Sequence, residues 1–333
     1  DSMELYPFRQ LIKEGASGIM VAHMNIPVLD NTPNLPSTLS KPIVTTLLKE
    51  ELGFKGLIFS DAMEMKGVAK FYPNGAGDVI GIIAGLDVIE LSGNSKRAVK
   101  LVRQAINKKR LSWQQVNTSV KKILFGKYWS GLNNSRYVQP QNIVADLNRV
   151  EAKELNQKLA DAAVTLLNSD IQLKNFDRRK KTAIVSLGSN ELTMLQRALR
   201  PALPNSLNFI LPKDITDAEL ENVKKELLAY DQIIVSIHDM RKRPAPVLDY
   251  NKSLKLFIAE LAGMNSMFAI FANPYSLAGL PGIEAAKTII LNYQNTNEAQ
   301  NATFRVINGG LKANGKLPVT INANFKNGDG LSQ

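Results

Sequence analysis

The sequence predicts a two-domain α/β protein on three observations. Short, continuously apolar runs such as Leu57-Ile58-Phe59 alternate with amphipathic stretches of helical spacing. That alternation is the pattern of buried strands joined by helical crossovers, and hence parallel. It occurs in two blocks, separated by a polar, interrupted stretch over residues 128–150 that contains Trp129-Ser130-Gly131 and Gln139-Pro140-Gln141-Asn142 and reads as a linker. Finally, 333 residues suffice for two domains, each with its own core.

In the first block, Leu5, Phe8, Leu11 and Ile12 space a helix that Gly15 ends, and residues 18–22 form a strand closing on His23. Pro36-Ser37-Thr38-Leu39-Ser40 supplies polar caps for a helix over residues 41–52. A glycine-containing turn leads into the strand Leu57-Ile58-Phe59, expected to be buried on both faces and to stop at Ser60-Asp61. A short helix over 79–84 precedes a third strand over 87–91. Helices follow over 95–107, with Lys108-Lys109-Arg110 suiting its C-terminal end, and from a Ser112 cap to Phe125. The second block reads as a helix over 151–167, then strands over 182–187, 208–211, 232–237, 267–271 and 288–291 with helices between them and a last helix over 297–308.

Composition narrows the class. With 44% hydrophobic and 21% charged residues, the chain is of ordinary globular type. No apolar run approaches the roughly 20 residues of a membrane span. Asp1-Ser2-Met3-Glu4-Leu5-Tyr6 has the features of no signal peptide. The absence of cysteine excludes a disulfide framework and a cysteine zinc site. A net charge of +11 favours anionic surroundings, but the basic residues are scattered and interleave with no aromatic patch, so no nucleic-acid partner is expected. An extracytoplasmic setting, periplasmic or secreted, is the expectation, with the cytoplasm as the alternative.

Asp61 ends an apolar strand, where a carboxylate reaches the mouth of a parallel sheet and the edge at which ligands bind. It is equally placed to cap a helix starting near Ala62, and spacing alone does not separate the two readings. His23 closes the neighbouring strand, either lining a pocket as a substrate-binding side chain or held by neighbouring loops. His238 ends a strand of the second block, with a pocket role and a surface loop both open. Asn74-Gly75-Ala76-Gly77 lacks the Gly-Lys-Ser/Thr ending of a phosphate loop. Asp87 and Glu90 bracket the third strand, and only burial distinguishes their roles. No metal-ligand spacing occurs.

The stretch Phe54-Lys55-Gly56-Leu57-Ile58-Phe59-Ser60-Asp61-Ala62-Met63-Glu64-Met65 resembles the nucleophile motif of glycoside hydrolase family 3. Ala62-Met63 follows the aspartate as in the β-N-acetylhexosaminidase branch, where β-glucosidases commonly carry an aromatic residue. Gly309-Gly310-Leu311-Lys312-Ala313-Asn314-Gly315-Lys316-Leu317-Pro318-Val319-Thr320 resembles the ending of that family's second domain. The resemblance covers nearly the whole chain but begins partway into the catalytic domain. It implies that residues 1–127 are the C-terminal part of a TIM (β/α)8-type barrel, 128–150 a linker and 151–333 an α/β sandwich. It implies Asp61 as the nucleophile of a retaining hydrolase that releases terminal β-linked N-acetylglucosamine, from cell-wall-derived saccharides, without cofactor or metal. In this branch the acid/base is a histidine on a mobile loop, and neither His23 nor His238 lies in such a sequence. The expected partner beyond the saccharide is therefore the missing N-terminal barrel segment. The alternatives are a β-glucosidase or β-xylosidase of the same family, or a non-catalytic carbohydrate-binding protein on this fold.

Overall fold

The computed structural model describes residues 3–134, 137, 140–169, 176–243 and 245–332, and the chain divides into two units, up to residue 139 and from residue 140. The first contains α1 (Tyr6–Lys13), β1 (Gly18–Val21), a π-helix (Pro42–Glu51), β2 (Leu57–Ser60), α2 (Lys66–Ala69), α3 (Ala76–Ala84), α4 (Ser95–Asn107) and α5 (Trp113–Trp129).

Strands β1 and β2 pair in parallel, Gly18 opposite Leu57 through Val21 opposite Ser60. Gly56 makes that register possible. A Cβ at this position would lie 2.5 Å from the Ser17 carbonyl oxygen, where the chains cross closely enough for Leu57 N to donate to the same oxygen at 3.0 Å. The predicted third strand shrinks to a single bridge between Val88 and Phe59. Two local events cut it short: the Ser60 hydroxyl takes the Glu90 N–H at 2.8 Å, and Leu91 turns into the left-handed region at φ 42°.

Burial corrects a second expectation. Only Ile58 of the Leu57-Ile58-Phe59 run is fully buried, packed among Val44, Leu48, Phe54, Ala84 and Leu86, with Ile19 and Val21 of β1 against the same cluster. The other face carries Met20, 57% exposed, and the half-buried Leu57 and Phe59. Helices cover one side of these strands, and among the described residues no strand pairs with the outer edge of β1. At the base of the strands the Asp87 carboxylate, 1% exposed, accepts hydrogen bonds from Ile58 N (3.0 Å), Ser119 Oγ (2.6 Å) and Lys122 Nζ (3.0 Å). It fastens α5 to the start of the third segment.

The second unit contains α6 (Ile143–Leu147), α7 (Val150–Ala163), β3 (Thr165–Ser169), β4 (Thr182–Leu187), α8 (Met194–Ala202), β5 (Ser206–Leu211), α9 (Asp217–Leu227), β6 (Gln232–His238), α10 (Lys252–Ala262), β7 (Ser266–Phe271), β8 (Thr288–Leu291) and α11 (Asn297–Ile307). Its six-stranded sheet runs β3-β8-β7-β6-β4-β5, parallel except for the β3 edge, with an apolar cluster on each face. The five parallel strands follow the doubly wound order 2-1-3-4-5. Strand β3 occupies the end of the stretch expected to be helical. There Val164-Thr165-Leu166 leaves α7 and pairs antiparallel with β8, a distant contact outweighing local helical spacing.

His238 is a core residue of this unit, 1% exposed. Its ring nitrogens meet Asn295 Oδ1 and Ser236 Oγ, each at 2.9 Å, and its ring stacks on Phe271 at 5.0 Å. Burial pushes its pKa from 6.5 down to about 4, only partly opposed by the Asn295 bond. The unfolded chain therefore binds the extra proton between those values, and stability falls as pH drops from about 6.5 to 4. We expect acidification across this window to cost the second unit about 3 kcal/mol through this residue. Urea unfolding of wild type and His238→Asn, followed by amide exchange of β6 at both pH values, tests this. The variant should lose that share of the pH dependence, and an unchanged difference between the pH values would contradict it.

Candidate active site

The mouth of the first unit is built where β2 runs out. Ser60, fully buried, accepts the Glu90 N–H through its hydroxyl, and Met63 N donates to Glu90 O at 3.0 Å. On the opposite side Asp61 N donates to Val21 O at 3.1 Å, carrying the β1–β2 ladder one residue past the strand. Asp61 is thus fixed from two directions. Its Oδ1 accepts the Ala62 N–H at 2.7 Å, and Oδ2 has no hydrogen-bond partner among the described residues of this half-buried side chain.

No helix begins at Ala62. Residues 62–65 form a turn closed by Met65 N on Ala62 O at 3.0 Å, and α2 starts only at Lys66 with Met65 as its N-cap. Met63 causes the detour, because it turns inward to pack, 4% exposed, with Leu39 and Val68. Of the two sequence readings of Asp61, the helix cap is the one the structure removes.

The loop after β1 returns through Ser37 and Thr38, both buried, to the carbonyl of Ala22. Ser37 Oγ donates to it at 2.5 Å and Thr38 Oγ1 at 2.6 Å. His23 joins this network. Its Nδ1 lies 2.7 Å from Thr38 Oγ1 and its Nε2 3.0 Å from Ala62 O. The ring read as a pocket ligand or as held by loops thus has both nitrogens on protein atoms. Farther along the loop, hydrogen bonds from Ser40 and Thr32 hold the Asp30 carboxyl below the usual range.

The other singled-out residues have structural places. Asp87 is at the base of the strands, and Glu90 is exposed with its backbone committed to Ser60 and Met63. In Asn74-Gly75-Ala76-Gly77, Gly75 is the left-handed N-cap of α3. A Cβ on Gly77 would lie 2.7 Å from Val68 Cγ1 and 3.0 Å from Met63 Cε, so that glycine serves packing. Among the described residues no group of three His, Asp or Glu is placed to hold a metal ion. Chemically, the mouth offers a carboxylate with one oxygen tethered and one free, suited to nucleophilic attack or to stabilising a nearby cation. Thr38 and Ser60 were missed from sequence. Thr38 lay in a run that reads as helix caps, and nothing local marks its reach to His23, 15 residues back.

Residues 1–125 match the family model described as the glycosyl hydrolase family 3 N terminal domain. Over these residues the chain is similar to the N-terminal domain of glycosyl hydrolase family 3. Among curated relatives, β-hexosaminidase A of Pseudoalteromonas piscicida is 24% identical, across 97% of this chain and 61% of that protein. The β-N-acetylglucosaminidase/β-glucosidase of Cellulomonas fimi is 21% identical, across 94% of this chain and 59% of its own length. Among solved structures, the family 3 β-N-acetylglucosaminidase from Paenibacillus sp. str. FPU-7 superposes with a TM-score of 0.72 at 26% identity, covering 96% of this chain and 61% of that one. The chain therefore spans about three fifths of these relatives' length. Its fold is the α/β fold of family 3, part of a TIM-type barrel followed by an α/β sandwich.

We expect Ser60→Ala to destabilise the first unit by about 1 kcal/mol, because it removes the fully buried hydroxyl that holds the Glu90 N–H. Both tryptophans, Trp113 and Trp129, lie in this unit, so tryptophan fluorescence during urea unfolding reads it selectively. A midpoint equal to wild type would show that this bond contributes nothing.

Proposed function

We propose that the whole protein is a retaining glycosidase that releases terminal β-linked N-acetylglucosamine, with Asp61 as its nucleophile. The observation that carries this reading is the Asp61 carboxylate at the C-terminal end of β2, with Oδ1 tethered to Ala62 N and Oδ2 free. In such a reaction the carboxylate oxygen attacks the anomeric carbon as the glycosidic bond breaks, and a separate acid protonates the departing oxygen. Water then cleaves the glycosyl-aspartate while that same group acts as base. The two-step displacement needs no metal or cofactor. The Paenibacillus name supports N-acetylglucosamine as the sugar, and the Pseudoalteromonas name supports a hexosaminidase. The Cellulomonas name gives both N-acetylglucosaminidase and glucosidase activity, and glucoside cleavage is the second reading.

The acid/base belongs to a segment outside this chain, since both of its histidines have their ring nitrogens engaged. The partly exposed face of β1 and β2 and, among the described residues, the unpaired edge of β1 support a barrel completed by further strands, from the same gene product or a companion chain. Saccharides from cell-wall turnover, met outside the cytoplasm, suit a surface with a net charge of +11.

In the intact protein, Asp61→Asn should abolish turnover without changing the unfolding midpoint, and a slow fluorinated glycosyl donor should label the peptide containing Asp61. A variant keeping a tenth or more of kcat/KM has lost only about 1.4 kcal/mol of transition-state stabilisation, which is too little for a nucleophile. Paired aryl glycosides decide the sugar. We expect strong preference for the N-acetylglucosaminide, and comparable kcat/KM on the glucoside would favour the second reading.

A further inference from the structure

We infer that His23 is a positioning residue for Asp61, acting through the carbonyl of Ala62 and not through the sugar. The inference rests on the reading of Asp61 as nucleophile. Among the described residues, Ala62 is the one to which the Asp61 carboxylate is tethered, through its N–H at 2.7 Å. Its carbonyl oxygen receives two donors, Met65 N at 3.0 Å and His23 Nε2 at 3.0 Å. Residue 62 is thus clamped at both ends, and any rotation of its backbone would swing Oδ1, and with it the free Oδ2.

Hydrogen-bond logic fixes where the imidazole proton sits. A carbonyl oxygen only accepts, so Nε2 carries the proton that bridges to Ala62. Nδ1 faces Thr38 Oγ1, which also lies 2.6 Å from Ala22 O. The hydroxyl has a single proton to give, to Nδ1 or to the carbonyls of Ala22 and Val21, the latter at 3.1 Å. The contact on Ala62 needs its proton on Nε2 in either arrangement. Thr38 is fully buried, and a Cβ on Gly67 of α2 would lie 3.3 Å from His23 Cβ, so α2 packs close against the histidine. His23 therefore transmits the position of the β1 loop to the residue after the nucleophile, a role that fits neither a ligand contact nor an acid/base.

The test uses the intact protein with His23→Ala, His23→Gln and Thr38→Val. A glutamine amide can donate to Ala62 O and accept from Thr38, so it imitates the neutral ring. We expect His23→Ala to lower kcat about 100-fold, the scale of a small misplacement of a reacting group, with KM within about threefold of wild type. His23→Gln should regain most of the loss with the wild-type pH profile, and Thr38→Val should fall between. Long-range 1H–15N spectra of the imidazole should show Nε2 protonated, unchanged on adding N-acetylglucosamine. A raised KM with kcat intact, or an Nε2 signal that moves with sugar, makes His23 a ligand and overturns the inference. So does a His23→Gln variant as inactive as His23→Ala with a pH limb lost, the mark of an acid/base. If His23→Ala does not fold, Thr38→Val and the spectra decide. Labelling of a residue other than Asp61 by the fluorinated donor would sink the nucleophile reading instead, leaving the spectra to judge the clamp alone.

Discussion

The parallel ladder between β1 and β2 governs the first unit. It opens where Leu57 N meets Ser17 O, across a gap that only a glycine at 56 allows, and closes where Asp61 N meets Val21 O. Between those bonds Ile58 is driven into the helical layer, which leaves Leu57 and Phe59 on the opposite face by the two-residue period of a strand. A one-residue slip would invert that arrangement and carry Asp61 off the mouth. Asp87 grips the same strand at its base through Ile58 N, so β2 is held at both ends and the carboxylate is delivered at a fixed height.

The two units satisfy the demands of parallel pairing differently. In the second, β4, β6, β7 and β8 are buried throughout and sandwiched between two apolar clusters. Its charged groups sit on the surface or in satisfied pairs, as with Asp239 and the fork of Arg241 at 2.7 Å. His238 remains neutral there because the stacked, hydrogen-bonded ring is worth more to the core than its charge would be. In the first unit the polar network gathers at the mouth instead, where Ser37, Thr38, Ser60 and His23 each satisfy a backbone group.

Much of this was legible in the sequence. The strands of the second unit announced themselves as short apolar runs between helical spacings, and Asp61 stood out because a carboxylate terminates such a run. What escaped reading depends on partners far along the chain. Strand β3 looked helical because its β8 partner lies more than a hundred residues away. The third strand of the first unit looked complete because nothing local foretells that Ser60 will take a ladder hydrogen bond from it. The two readings of His23, pocket ligand or ring held by neighbouring loops, stayed open in the sequence because its two partners, 15 and 39 residues distant, come from a cap-like run and from the motif itself. Local spacing locates an element and the residue that ends it. It does not say which side-chain nitrogen finds which carbonyl.

The open side of β1 has a practical consequence for handling the protein. A row of backbone donors and acceptors beside an uncovered methionine is a template onto which any extended chain can add a strand, another copy of this chain included. Produced alone at high concentration, the chain carries its own seed for self-association at Gly18–Val21. A lysine in place of Met20 or a proline on that edge would make the chain easier to keep in solution.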